Sequence, residues 1–328
     1  MWPLPEQLYK PDGAPRCIGV EIELQGLTVA RIAQLISEEL GGSVEQLTVA
    51  EYAVDVPALG RFMIEVDFAL LKQLARQQTD QLEKKALDNL AVDLLEAASS
   101  LVVPCEIVCP PIPMDKAGEP MDQLTEALRD AGAKGTRASL MYAFGLHLNV
   151  EPPDLDARTL LRYLQAYVCL HDWIVWEDHV DISRRLSPYI QPYSSEYQDR
   201  ITSPEYSPEL DELIRDYLTL ESSRNRALDM LPLFAFIDEQ SVAAAVGTEL
   251  VNARPTFHYR LANCCVDEPA WTVETPWRHW LEVESLAGRP RDLRDCMAAF
   301  REDRKRLLTA VDPRWRFEIE KWLSDAAQ

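Results

Sequence analysis

Five short stretches of the chain alternate apolar and polar residues with the two-residue period of a β-strand. At 17–24, Ile18, Val20, Ile22 and Leu24 make one face, and Gly19, Glu21 and Glu23 make the other. At 62–68, Phe62, Ile64, Val66 and Phe68 oppose Glu65 and Asp67. At 105–109, Cys105, Ile107 and Cys109 oppose Glu106. At 144–150, Phe144, Leu146, Leu148 and Val150 oppose Gly145, His147 and Asn149. At 256–261, Phe257, Tyr259 and Leu261 oppose His258 and Arg260.

Longer stretches carry helical spacing. From about Leu70 to Leu101, Leu82, Ala86, Leu90, Leu94 and Ala98 recur every fourth residue and predict an amphipathic helix. A second helix is predicted from about Asp156, with Leu160, Leu161, Leu164, Val168 and Trp173 on one stripe. A third is predicted to open on Ser207 as N-cap, with Pro208 in its first position and Glu209 and Asp211 in its first turn. Asp292 to Val311 and Pro313 to Ala327 read as two more helices, broken at Asp312-Pro313. Loops are predicted at Pro110–Pro113, at Ala117–Pro120 and around Glu151–Pro153, and a long loop suited to line an active site at Tyr189–Tyr206. No repeat and no sharp shift in composition divides the chain, so the pattern predicts one α+β domain over residues 1–328.

Taken singly, each polar strand face is what the wet side of an antiparallel sheet looks like. Taken together, the five carry Glu21, Glu23, Glu65, Asp67, Glu106, His147, Asn149, His258 and Arg260, and no Lys. Glu21 and Glu23 leave the same face roughly 7 Å apart. Carboxylates so placed repel one another unless a cation lies among them. A hard divalent cation with oxygen ligands and an occasional imidazole relieves that repulsion, and the excess of carboxylate over imidazole favours magnesium or manganese over zinc. His147 has a second reading as a hydrogen-bonded core histidine. An Arg on such a face suits an anionic group, so metal, carboxylates and Arg260 together point to phosphoryl transfer. There is no GxxxxGK[ST] and no GxGxxG in the chain, which excludes the P-loop and the common dinucleotide-binding turn.

Charge narrows the partners. With 33 basic and 54 acidic residues the net charge is -21, which disfavours nucleic acid and reads mainly as solubility. The most apolar run, Leu228–Ile237, is short and holds Asp229 and Pro232, so no membrane span is expected. Met1–Pro5 lacks the basic and apolar segments of a secretory leader, and the seven cysteines, without a CxxC, read as free thiols. A cytoplasmic location is the expectation.

Gly19-Val-Glu21-Ile-Glu23 resembles the opening strand of the amidoligase family, one of the carboxylate–amine ligases related to glutamine synthetase and glutamate–cysteine ligase. Val66-Asp67-Phe-Ala-Leu70, Cys105-Glu106-Ile-Val-Cys-Pro110-Pro111, Gly145-Leu-His147-Leu-Asn149-Val150 and Asn252-Ala-Arg-Pro-Thr256-Phe-His258-Tyr-Arg260 resemble its later motifs, in the family's order. The resemblance spans residues 17–261 and leaves a helical insertion at about 71–103 and a helical extension at about 290–328 unexplained.

The resemblance implies a curved, mostly antiparallel sheet of the glutamine-synthetase catalytic type, with helices on its convex face and ATP and Mg2+ (or Mn2+) on its concave face. It implies Glu21, Glu23, Glu106, His147 and His258 as metal ligands. Arg260, Asp67 and Asn149 are the implied catalytic residues, and Arg260, Arg254 and Arg185 the cofactor-binding ones. Arg184 and Arg185, just ahead of Tyr189 and the predicted long loop, and Arg200 within it are further anion-binding candidates.

The implied reaction joins a small-molecule or peptide carboxylate to an amine through an acyl phosphate. Two positions depart from the family pattern. His258 stands where relatives have Glu, removing one negative charge from the site, and Cys109 stands where Ser is common. A metal-dependent hydrolase or kinase on the same sheet, and a non-catalytic scaffold that binds a partner protein, remain open readings, as does a homo-oligomer.

Overall fold

The first alternating stretch forms strand β1 (Cys17–Leu24), whose apolar residues Ile18, Val20, Ile22 and Leu24 are all buried. The computed structural model describes residues 1–66, 104–138, 144–247, 251–306 and 314–324. Asp67 and the helical stretch predicted at 70–101 lie outside them. The described residues give a mixed α/β fold of nine strands and eleven α-helices. The strands form an open, antiparallel sheet in the order β2-β3-β4-β5-β1-β7-β9-β8, with β6 pairing to β1. None of the described helices is long and apolar enough to cross a membrane.

The chain divides into two compact units. The first comprises residues 18–147 and 263–273. Here β1 pairs with β5 (Cys105–Val108), β5 with β4 (Gly60–Val66), β4 with β3 (Glu51–Val56) and β3 with β2 (Ser43–Gln46). Helix α1 (Val29–Leu40) packs on β3 and β4. It buries Val29, Ile32, Ala33 and Ile36, the stripe of a helix with one apolar face. Thr28 caps it by accepting from the Arg31 amide at 3.2 Å. Helix α2 (Gly118–Asp130) packs on α1 through Met121, Leu124 and Leu128. It begins inside the loop predicted at Ala117–Pro120: Pro120 sits in the first turn, where a missing N–H leaves no helical bond unmade. The loop at Pro110–Pro113 is shortened by the two-residue strand β6 (Ile112–Pro113).

Residues 263–273 complete this unit. Gly145 bridges to Asn263, and the Thr136 amide donates to the Cys264 carbonyl at 2.7 Å. Gly135 permits that approach, because a Cβ there would lie 2.0 Å from the Cys264 oxygen. Cys264 and Cys265 are buried, consistent with a structural part.

The second unit comprises residues 2–17, 148–262 and 274 onward. Strand β7 (Leu146–Val150) ends in it and pairs with β9 (Phe257–Tyr259), which pairs with β8 (Leu228–Asp229). The long helix α3 (Ala157–Glu177) is the predicted second helix and buries twelve residues. Its Tyr163 ring stacks on Phe257 of β9 at 4.9 Å. Its C-terminus closes in a Schellman arrangement: the Val180 amide donates to Val175 and the His179 amide to Trp176. His179 holds the left-handed position with φ 45°, where glycine is usual.

Four short helices follow: α4 (Ile182–Leu186), α5 (Ser195–Ile201), α6 (Leu210–Leu220) and α7 (Leu231–Ile237). Helix α5 breaks the long loop predicted at Tyr189–Tyr206, because Ser194 acts as an N-cap, accepting from the Tyr197 amide at 3.2 Å. Helix α6 starts later than its predicted cap at Ser207: Glu209 is still extended, with ψ 168°, and serves as the N-cap position. The chain goes on through α8 (Glu239–Val246), α9 (Glu274–Gly288), α10 (Pro290–Arg304) and α11 (Trp315–Glu318). Helix α10 opens on Pro290, two residues ahead of the predicted Asp292, and the final helical stretch is one α turn followed by a 3-10 turn at Ile319–Trp322. Helices α9 and α10 pack on α3.

A buried ion pair ties the segments of this unit together. Arg16 is fully buried and meets Glu284 of α9 through both guanidinium nitrogens, at 2.6 and 2.9 Å. It also donates to the carbonyls of Gln7 and Glu151.

Candidate functional site

In the first unit, strand register lines up acids. Glu23 lies opposite Glu106, Glu106 opposite Glu65, and Glu65 opposite Glu51. Four half-buried carboxylates therefore run straight across four adjacent strands. Like charges directly opposite each other destabilise a sheet unless something compensates them. His147, on β7, is buried beside this row. One ligand atom each from Glu23, Glu106 and His147 lies within 4.8 Å of the others.

Two of the three, Glu23 and His147, are held by neighbouring groups. The Gly145 amide donates to Glu23 Oε2 at 2.6 Å, and His147 Nε2 is 3.5 Å from Glu23 Oε1. His147 Nδ1 is 2.8 Å from Glu21 Oε2. A carboxylate only accepts, so the 2.8 Å contact makes Nδ1 the donor to Glu21. Two carboxylates and one imidazole, braced by a further carboxylate, fit a divalent cation. Cys109 is buried with its sulfur 3.8 Å from Met121 Sδ. Burial, and secondarily the nearby Glu21, push its thiol pKa well up, so it stays a protonated packing group.

In the second unit, register lines up Asn149, His258 and Asp229 across β7, β9 and β8. His258 Nδ1 is 3.7 Å from Asp229 Oδ2, and all three residues are buried. Arg254 donates from Nε to Asn149 Oδ1 at 2.9 Å. Arg260 is half-buried, and its Nη1 donates to the carbonyls of Arg224 and Tyr189 at 2.8 and 3.2 Å. Its own carbonyl accepts from buried Arg184 at 2.6 Å. Arg184 is thus a brace for β9. Arg200 pairs with Asp216 at 2.6 Å, and exposed Arg185 lines a cavity with Tyr167 and Asp172.

Two residues were missed by the alternation. Glu51 opens β3 (Glu51–Val56), where Tyr52, Val54 and Val56 alternate with Glu51, Ala53 and Asp55 and so offered a signal. Asp229 had a signal: it is a lone acid in the most apolar run of the chain. Asp229 Oδ1 accepts from the Leu231 amide at 2.9 Å, so the run folds as a strand end and a helix start around it.

No curated protein and no solved structure matches the chain. A family described as "Putative amidoligase enzyme" matches residues 14–282, most of its length. That description is of an enzyme and supports a ligase. The matched range covers most of the chain, and the chain belongs to the amidoligase family.

Proposed function

We propose that the protein is an ATP-dependent carboxylate–amine ligase on a sheet of the glutamine-synthetase type. The observation that carries this reading is the convergence of Glu23, Glu106 and His147 ligand atoms within 4.8 Å, from strands β1, β5 and β7. Glu23, Glu106 and His147 would hold Mg2+ or Mn2+, and in the second unit His258 is a proposed metal ligand. A bound cation of this kind neutralises phosphate charge and polarises phosphoryl oxygens. Glu21 is likewise a proposed metal ligand, and it orients the His147 ring by accepting a hydrogen bond from Nδ1.

Arg260, Arg254 and Arg185 are the proposed partners of nucleotide phosphates. Asp67 and Asn149 are proposed to position the substrate. In the reaction, a substrate carboxylate oxygen attacks the γ-phosphorus of ATP, the bond to the bridging oxygen breaks, and ADP leaves. The amine then attacks the acyl phosphate carbon, inorganic phosphate departs, and the amine gives up a proton as the amide forms. The substrates are small-molecule or peptide carboxylates and amines, and the proposed location is the cytoplasm.

The engagement of Arg260 with the Tyr189 and Arg224 carbonyls favours a second reading, a non-catalytic scaffold of the same fold. The two separate on one assay. With ATP and Mn2+, a ligase releases ADP only when a carboxylate and an amine are both present, and Glu23→Gln lowers that rate by at least about 100-fold while keeping the fold. A failure of ATP with Mn2+ to raise the Tm, together with no ADP release across a panel of such pairs, would reject the ligase.

A further inference from the structure

Asp229 is the one charged residue in the most apolar run of the chain, Leu228–Ile237, and it is only 3% exposed. A carboxylate so buried costs stability unless its oxygens are engaged. Oδ1 is engaged locally: it accepts from the Leu231 amide at 2.9 Å, where α7 starts. Oδ2 faces the neighbouring strand, 3.7 Å from Nδ1 of His258.

The backbone on both sides of this contact is fixed. Asp229 lies directly opposite His258 in the β8–β9 register. The Tyr193 hydroxyl donates to the Leu228 carbonyl at 2.6 Å, and the Tyr217 hydroxyl accepts from the Met230 amide at 3.1 Å, so Asp229 is pinned through both its chain neighbours. His258 stands between Phe257 and Tyr259, whose fully buried rings pack on Tyr163 and Tyr167. At 3.7 Å the contact is longer than a hydrogen bond, and side-chain torsions are what remains to close it.

We propose that Asp229 is the positioning residue of His258: its Oδ2 accepts the Nδ1 hydrogen and so fixes Nε2 as the nitrogen whose lone pair meets a divalent cation. A carboxylate only accepts, so the ring nitrogen beside it is the one that bears hydrogen. A metal-ligating histidine is commonly held this way, by a carboxylate on the nitrogen away from the ion, which sets the tautomer and the ring angle. The inference rests on the reading of His258 as a metal ligand, whereas the tautomer it requires is a property of the metal-free protein.

Long-range 1H–15N spectra of the whole chain test it. The chain has five histidines, so His258 is assigned as the ring lost in His258→Gln. In the metal-free protein at about pH 8.5, above the ordinary histidine pKa of about 6.5, its ring should carry hydrogen on Nδ1 and a lone pair on Nε2. Asp229→Asn keeps an oxygen for the Leu231 amide, which turns its NH2 toward His258. That donor should move the ring hydrogen to Nε2 while circular dichroism stays unchanged. Mn2+ should broaden the His258 signals of wild type, and Asp229→Asn should need at least about 10-fold more Mn2+ for the same broadening. A wild-type ring with hydrogen on Nε2, or on both nitrogens, overturns the proposal whether or not Mn2+ binds. So does a tautomer that Asp229→Asn leaves unchanged. The expected tautomer without Mn2+ broadening at His258 rejects the metal reading of that residue, and the proposal with it.

Discussion

His147 Nδ1 lies 2.8 Å from Glu21 Oε2 and its Nε2 3.5 Å from Glu23 Oε1, so the imidazole sits between the two acids of the Glu21-Ile22-Glu23 motif. If Glu21 acts through the ring rather than on a cation, any acceptor at position 21 will serve. Glu21→Gln should keep Mn2+ affinity within about 10-fold of wild type, and Glu21→Ala should lower it by about 10–100-fold. Calorimetric Mn2+ titration distinguishes this from direct ligation, in which the two variants lose affinity alike.

Arg16 and Glu284 form a buried bidentate pair. Removing one partner leaves a charge in the interior with nothing to balance it. Arg16→Ala should destabilise the fold by about 3–5 kcal/mol, read from urea denaturation. A loss below about 1 kcal/mol would mean that water reaches Glu284.

His279 packs edge-on to Trp173, and burial pulls its pKa down to about 4. Asp178 is 3.7 Å from its Nδ1, too far to hold a proton there by a hydrogen bond. The unfolded chain therefore binds a proton more readily than the folded one. The stability from the neutral ring is complete above the ordinary histidine pKa of about 6.5 and is lost as pH falls toward 4, by up to roughly 3 kcal/mol. His279→Gln should flatten the stability profile between pH 4 and 6.5 relative to wild type. Parallel profiles for the two proteins would contradict it.

His179 is the sole non-glycine residue with positive φ among the described residues. Its Cβ pays a steric penalty that glycine escapes. His179→Gly should stabilise the protein by about 0.5–1 kcal/mol, seen as a higher urea midpoint at constant slope. A loss of stability would show that contacts of the His179 ring outweigh the strain.

Much of the site was legible because strands β1, β4, β5, β7 and β9 alternate strictly, and alternation alone assigns Glu21, Glu23, Glu106, His147 and His258 to faces. What alternation does not carry is register. That Glu106 sits opposite both Glu23 and Glu65, and that Glu51 joins the row, depends on pairings between strands far apart in sequence. Side-chain direction was equally hidden: Glu21 and Glu23 look equivalent in the motif, yet one meets Nδ1 of His147 and the other lies nearer Nε2. In the helical parts, Ser194 and Pro120 were read as loop formers although both also start helices, and only their surroundings decide which role they take. Helix α9 was missed although Trp277, Trp280, Val283 and Ala287 recur at helical spacing on its buried face, among them the buried acids Glu282 and Glu284.

The return of residues 263–273 to the first unit has a consequence for the order in which the protein can be made. On the ribosome, residues 18–147 emerge well before 263–273, with Thr136 and Gly145 still lacking Cys264 and Asn263. The acid row across β3, β4, β5 and β1 is then already in the chain, while the segment that finishes the unit waits for all of residues 148–262 to be translated. Folding of the first unit is therefore completed late, and a stalled nascent chain ending before Asn263 should stay protease-sensitive around Gly135.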